Sequence, residues 1–275
     1  MATQMSSTRT STTATGERRK RAGGRRRTEA LIFGTLGVAA FLIIWQLASV
    51  SGAVDAILLP APTAVAGAFG DMFTSPGFGA DLRASGVEFV IGFLLSLGIG
   101  LPLGMLIGWY KRLGYALEPL INFFYSTPRI ALMPILIIWF GIGLSSKIAV
   151  VFLGGVFPIL INAAAGVRTV DRSLIQAARV FNATDRQLFL TVNLPACVPF
   201  VLSGMRLAVG QGLIGVFVGE LLGAQHGVGL LVANAGASFQ TARVLAGVAL
   251  IAAAGVVLTN LLGLAERHFS SWRAQ

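Results

Sequence analysis

Between Leu31 and Val50 the chain runs for 20 residues without a charged side chain. An α-helix rises about 1.5 Å per residue, so a run of that length covers the roughly 30 Å hydrocarbon core of a bilayer. Comparable apolar stretches recur at about 84–109, 118–140, 147–167, 196–222 and 242–265. They are continuous rather than alternating, which excludes the dyad pattern of a membrane barrel and leaves helices. Only 12% of the 275 residues are charged, against about a quarter in soluble domains. The sequence therefore predicts an all-α polytopic membrane protein with about six transmembrane helices.

Charge orders these spans. The formal net charge is +10, but it is concentrated near the start, where Arg18, Arg19, Lys20, Arg21, Arg25, Arg26 and Arg27 cluster. Such concentration argues for topology rather than for a nucleic-acid partner. Residues 1–29 are expected to form a disordered basic cytoplasmic tail in contact with anionic lipid. A cleaved export signal is the alternative, although Leu31–Val50 exceeds a usual signal core. Residues 30–80 hold the first span and an external segment, 81–266 the membrane core, and 267–275 a cytoplasmic C-terminal tail. Asp55–Asp81 carries acidic residues, prolines and no Lys or Arg, which places it outside, with a short surface helix from Pro62 to about Phe73. Lys111, Arg112, Arg168, Arg172, Arg179, Arg186, Arg267 and Arg273 then fall on the cytoplasmic side, as the positive-inside rule requires. Arg83, Arg129, Lys147, Arg206 and Arg243 are exceptions at outer span ends or within spans.

Two spans carry unusual chemistry. In the second, Gly92, Ser96, Gly100, Gly104 and Gly108 recur every fourth residue and form a seam for close helix approach, read as packing within one subunit; Pro102 is expected to kink it. The third is interrupted at YSTPRIALMP, where Pro128 and Pro134 remove donors and Ser126 and Thr127 can satisfy freed backbone groups. Arg129 lies in this break and is a functional candidate, or else pairs with Glu88 or snorkels to the interface. Ser126, Thr127, Arg129, Asn162, Arg206 and Gln211 are the candidate lining of a translocation path.

The longest polar interruption in the second half is Asp171–Pro195, DRSLIQAARVFNATDRQLFLTVNLP. It reads as two short amphipathic helices. Asp171 or Ser173 caps the first, and Asn182 ends it in the left-handed region. Thr184 and Gln187 form a capping box for the second, which Leu194-Pro195 is expected to stop.

Nothing here encodes catalysis. Lys20, Lys111 and Lys147 follow Arg19, Tyr110 and Ser146, so no nucleotide-binding Gly-Lys-Ser/Thr loop exists. There is no zinc-protease or hydrolase motif. One cysteine, Cys197, excludes an intrachain disulfide. His226 and His268 read as surface side chains, and no metal site is expected.

The run QAARVFNA, the following VNLP and the segment PFVLSGMRLA resemble the signature loop of binding-protein-dependent ABC importer permeases. LPAPTAVAGAF resembles the periplasmic segment before their core, and YSTPRIALMPILIIWFGIG resembles their nitrate, sulfonate and taurine branch. The likeness covers Leu59 to about Glu266. It implies the type I importer permease fold, with 81–266 as its core, in the inner membrane of a prokaryote with both termini cytoplasmic. It further implies a permease dimer, expected to be a homodimer, a separate ATPase dimer that binds ATP and magnesium, and an extracytoplasmic solute-binding protein. This chain itself would bind no cofactor. Gln176, Ala177, Ala178, Arg179, Asn182, Asp185, Leu194 and Pro195 would form the ATPase-coupling loop. Ala177 and Ala178 would be small to seat deeply, and Arg179 and Asp185 would lie at the rim. Gln176 stands where the family has Glu, and Asn182 where it has Gly. The implied cargo is a small anionic solute of the nitrate, sulfonate or taurine kind. A pyrimidine or riboflavin-type compound on the same machinery is the alternative. An ion-coupled secondary transporter is a further alternative, though it lacks the expected inverted repeats.

Overall fold

The computed structural model describes the backbone of residues 11–52, 54–223 and 225–270, and the side chains of 29, 32–52, 54–171, 173–223 and 225–266. All regular structure among them is helical. The chain divides into two compact units, Met1–Ala64 and Val65–Gln275.

The first unit is built on α1 (Ser11–Val50), whose Ile32–Val50 portion is long and apolar enough to cross a membrane. Its backbone is helical from Ser11, where the sequence reading expects a disordered tail; residues 1–10 of that tail lie outside the described residues. The Trp45 indole donates to the Pro60 carbonyl at 3.1 Å, and the Ser49 hydroxyl to the Leu59 carbonyl at 2.8 Å. These bonds occupy carbonyls of a Pro-containing stretch that cannot form its own ladder. α2 (Pro62–Thr74), which runs across the division at Ala64, falls where a short helix is expected, with Pro62 at the first position, where its missing N–H leaves nothing unsatisfied.

The second unit is organised around α6 (Leu144–Arg168), which packs chiefly against α3 (Phe78–Trp109) and α9 (Leu194–Leu221). The glycine seam explains this. A Cβ on Gly92 would stand 2.6 Å from the Val151 Cβ, one on Gly100 2.8 Å from the Val156 carbonyl, and one on Gly108 2.8 Å from the Ala164 carbonyl. All three obstacles belong to α6, so the seam is an internal helix contact, as read from its spacing. α9 approaches α6 from the other side by the same device, with Gly204 against the Pro158 carbonyl and Gly215 against the Val151 backbone. Phe89, Val151, Val209 and Val216 fill the space between the three helices. Leu94, Ile99, Leu207, Val256 and Leu261 are exposed, as side chains facing lipid would be.

Among the described residues, five helical segments are long and apolar enough to cross a membrane: Ile32–Val50, Phe78–Trp109, Leu144–Arg168, Asp185–Leu221 and Thr241–Glu266. The expected third span is a bent pair, α4 (Lys111–Ser126) and the segment Arg129–Phe140, which ends in α5 (Met133–Phe140); the two lie at 88°. Counting that pair as one broken span makes six. α7 (Arg172–Val180) and α8 (Asp185–Leu188) lie in the polar interruption, and α10 (Val228–Ala237) precedes α11 (Thr241–Ser270).

One local expectation is corrected. Pro195 does not stop a helix: α8 passes through a π turn at Phe189–Asn193 straight into α9. Pro195 sits at the start of α9, where the missing N–H is tolerated, and the wider turn absorbs the mismatch. Asn234-Ala235-Gly236 is helical within Val228–Ala237, and the chain reverses at Phe239 with φ 56°. There Gln240 N–H bonds back to the Ala235 carbonyl at 2.8 Å, so capping bonds hold a residue that seldom adopts this conformation.

At the end of the bundle away from α7 and α8, a buried polar cluster joins four helices. Lys147 Nζ donates to Glu88 Oε1 at 2.6 Å. Glu220, fully buried beside Glu88, accepts from the Ser85 hydroxyl and the Gly229 N–H, each at 2.6 Å. Ser85 Oγ accepts from Val228 N–H and Asp81 Oδ1 from Gly227 N–H, both at 3.0 Å. Three orphan amides at the start of α10 are thus capped by side chains from α3 and α9.

Candidate functional site

The break between α4 and α5 builds a cavity of about 240 Å³. Pro128 prevents the helix from continuing, and the Thr127 hydroxyl bonds to the Phe123 carbonyl at 2.8 Å, satisfying one group the break releases. Arg129 follows in a short 3₁₀ turn, Arg129–Leu132. Its Nη1 donates to Gln211 Oε1 on α9 at 2.7 Å, and its guanidinium carbon lies 5.5 Å from the Tyr125 ring centroid. The alternative pairing with Glu88 is overturned, because Glu88 is held by Lys147 on α6.

Thr127, Arg129, Ile130, Val150, Gly154 and Gln211 line the cavity. None is acidic, and among the described residues Arg129 has no ion-pair partner. Its Nε is buried without a hydrogen bond. The guanidinium is thus held by a neutral amide, and no carboxylate lines the pocket beside it. The close α6–α9 approach shapes one wall, since a Cβ on Gly154 would stand 3.0 Å from the Gln211 carbonyl.

Three of the six candidate path residues therefore meet: Thr127, Arg129 and Gln211. Ser126 is exposed and ends α4 outside this lining. Asn162 Nδ2 turns back to the Pro158 carbonyl of its own helix at 2.8 Å. Arg206 is bound to Glu266 on α11 and is half-buried there. Among the described residues, no three His, Cys, Asp or Glu side chains gather as metal ligands.

The second candidate region is the Asp171–Pro195 hook. Asp171 Oδ1 accepts from Ser173 N–H at 2.8 Å, capping α7. The Ser173 backbone N–H, then its hydroxyl, hold the Asp171 carboxyl below its ordinary pKa. Asn182 takes φ 56°, the left-handed position expected of it. Thr184 and Gln187 form both halves of the capping box, with Thr184 N–H to Gln187 Oε1 at 2.9 Å and Gln187 N–H to Thr184 Oγ1 at 3.3 Å. Arg179 and Asp185 bind each other across the break.

Local bonds thus define the hook, yet its apolar surface is not covered. Leu174, Val180 and Phe181 are exposed, Phe181 at 86%, while Gln176 and Ala177 are exposed and Ala178 is half-buried. Leu188 is buried, and Phe189 meets Trp109 of α3 edge-on at 5.4 Å. Leu194 and Pro195 begin α9, the helix that carries Gln211. The two regions are therefore joined by one rod, Asp185–Leu221. Sequence spacing missed the Arg129–Gln211 contact and the Lys147–Glu88–Glu220 cluster. A basic or acidic residue within an apolar run was their only sequence signal.

Residues 100–271, which include both regions, match the family described as the binding-protein-dependent transport system inner membrane component. The aliphatic sulfonates transport permease protein SsuC of Bacillus subtilis is 36% identical over 87% of this chain and 87% of its own. The taurine transport system permease protein TauC of Escherichia coli is 31% identical over 89% of this chain and 90% of its own. A chain of the MetNI methionine ABC transporter, solved in inward-facing conformations, shares the fold with TM-score 0.56 and 23% identity, covering 73% of this chain and all of that one. The hook, the broken span and the glycine-packed bundle are thus those of a multi-pass permease, and the chain belongs to the binding-protein-dependent transport system inner membrane components, the permease subunits of ABC importers.

Proposed function

We propose that this permease moves a small anionic solute of the sulfonate or taurine class, driven by ATP hydrolysis on a separate subunit that grips the α7–α8 hook. The carrying observation is the hook itself: a fully capped helix pair whose Leu174, Val180 and Phe181 side chains are left uncovered. Folding such a segment and leaving it bare is consistent with a partner that buries it. A groove on an ATPase dimer is that partner, and the ATP and magnesium belong there. A permease homodimer and an extracytoplasmic solute-binding protein complete the assembly, with both termini of this chain cytoplasmic.

The mechanism follows from the rod. α8, the π turn and α9 form one continuous path from the hook to Gln211, and Trp109 against Phe189 ties its base to α3. Closure of the ATPase dimer would tilt this rod and shift Gln211 relative to Arg129, which sits on the separate 88° elbow. The guanidinium would then be held by Gln211 in one state and offered to solute in the other. Relatives named for aliphatic sulfonates and taurine support an anionic cargo, as does the uncompensated Arg129.

The test uses the complete importer reconstituted in vesicles. Ala178→Asp places an unpaired charge at the contact, and uptake with binding-protein-stimulated ATP hydrolysis should both collapse. Undiminished uptake in that variant removes the hook from the mechanism. Accumulation of solute against its gradient by this chain alone, without an ATPase, removes the reading altogether.

A further inference from the structure

A second concavity, of about 550 Å³, lies between the last turns of α3 and the base of the rod. Its walls are apolar: Leu101, Met105, Leu106 and Trp109 on one side, Phe189 and Leu194 on the other. Its mouth is basic. Arg186 lines it, and Tyr110, which also lines it, is followed in sequence by Lys111 and Arg112. Asp185 also lines the mouth but is engaged by Arg179. Lys111, Arg112 and Arg186 are exposed and make no ion pair among the described residues.

We propose that this groove binds one anionic phospholipid, its acyl chain against Met105, Trp109 and Phe189 and its phosphate among Arg186, Arg112 and Lys111. Three observations converge on that occupant. The groove opens at the C-terminal end of α3, a helix long and apolar enough to cross a membrane. Trp109 and Tyr110 stand there as adjacent amphipathic rings, the side chains that mark membrane interfaces. The charge at the mouth complements a phosphate, and guanidinium groups bind phosphate oxygens by forked hydrogen bonds. A soluble anion would satisfy the mouth but leave the apolar walls wet, so the whole site fits a lipid. Placing the groove in the cytoplasmic leaflet rests on the proposed orientation; the groove's chemistry does not. Because the lipid would touch both α3 and α8, it would brace the base of the rod.

The test is fluorescence of the full chain in nanodiscs, with Trp45, Trp139 and Trp272 replaced by Phe so that Trp109 alone reports. Phosphatidylglycerol brominated in its acyl chain, titrated into phosphatidylcholine, should quench Trp109 saturably at low mole fraction. Phosphatidylcholine brominated alike should quench only in proportion to its share. Arg112→Gln with Arg186→Gln should weaken the phosphatidylglycerol preference by about fivefold per arginine, and Arg→Lys at both positions, which keeps the charge but loses the fork, should retain only part of it. Free glycerol phosphate should not compete. Equal, non-saturating quenching by both lipids overturns the proposal. So does competition by free glycerol phosphate, or a Trp109 shielded from both lipids by a second copy of the chain. These readings involve no transport, so they stand or fall separately from the ATP-driven mechanism.

Discussion

Lys147 Nζ lies 2.6 Å from Glu88 Oε1, with both side chains almost wholly buried between α6 and α3. Glu220 on α9 sits beside them and accepts from the first turn of α10, so one ion pair is embedded in a contact among four helices. Removing the cation strands two carboxylates in an apolar interior. Lys147→Met should destabilise the chain by about 3–5 kcal/mol, whereas Lys147→Met with Glu88→Leu should recover part of that loss. Thermal unfolding in nanodiscs checks both; equal melting of Lys147→Met and the parent would show the pair to be dispensable.

The glycine seam permits a sharper contrast. Gly92→Ala forces a methyl to within 2.6 Å of the Val151 Cβ and 3.0 Å of the Ile148 carbonyl, so the two helices must shift apart. A loss of about 1–3 kcal/mol is expected from overpacking. Gly98, on the same helix, has nothing within 4 Å of an added Cβ, so Gly98→Ala should be neutral or stabilise by up to about 1 kcal/mol. Comparing the two melting curves separates packing from helix propensity.

Asn182 joins α7 to α8 at φ 56°. Gly should be accepted there. Val should add about 1–2 kcal/mol of backbone strain and distort the hook. ATPase binding to the reconstituted permease should then be preserved in Asn182→Gly and weakened in Asn182→Val. Equal binding by both variants would mean that hook geometry is not what a partner reads.

Arg129 and Gln211 make a further pair to separate. Arg129→Ala should lower uptake of a sulfonate about tenfold or more, in line with the loss of a charged hydrogen bond to cargo. Gln211→Ala leaves the guanidinium free and should change uptake less. Normal assembly of Arg129→Ala with the other subunits, checked by copurification, would place its role in transport rather than in folding.

The Asp171 cap carries a pH signature. Its carboxyl is held below the ordinary value by Ser173, so the cap is fully present above the unfolded pKa and is lost as pH falls through the folded one. Protection of the Ser173 amide, its exchange measured against the intrinsic rate at the same pH, should fall on acidification of the parent. In Asp171→Ala that protection should already be low at neutral pH, with no acid-dependent step of this origin.

Much of this protein was legible in one dimension because its local rules act within a few residues. Apolar run length marked the spans, a four-residue glycine period marked the α3 seam, and Asp171, Asn182, Thr184 and Gln187 marked the hook by capping chemistry alone. Pro195 shows where such rules fail: a proline after Leu normally ends a helix, but a preceding π turn leaves room for it. Partners distant in sequence were decided only by the tertiary fold. Glu88 chose Lys147, Arg206 chose Glu266 and Arg129 chose Gln211. In an apolar interior each buried charge or amide bonds to the complementary group that close helix packing brings within reach. That proximity depends on how α3, α6, α9 and the bent α4–α5 pair cross, which no spacing along the chain records.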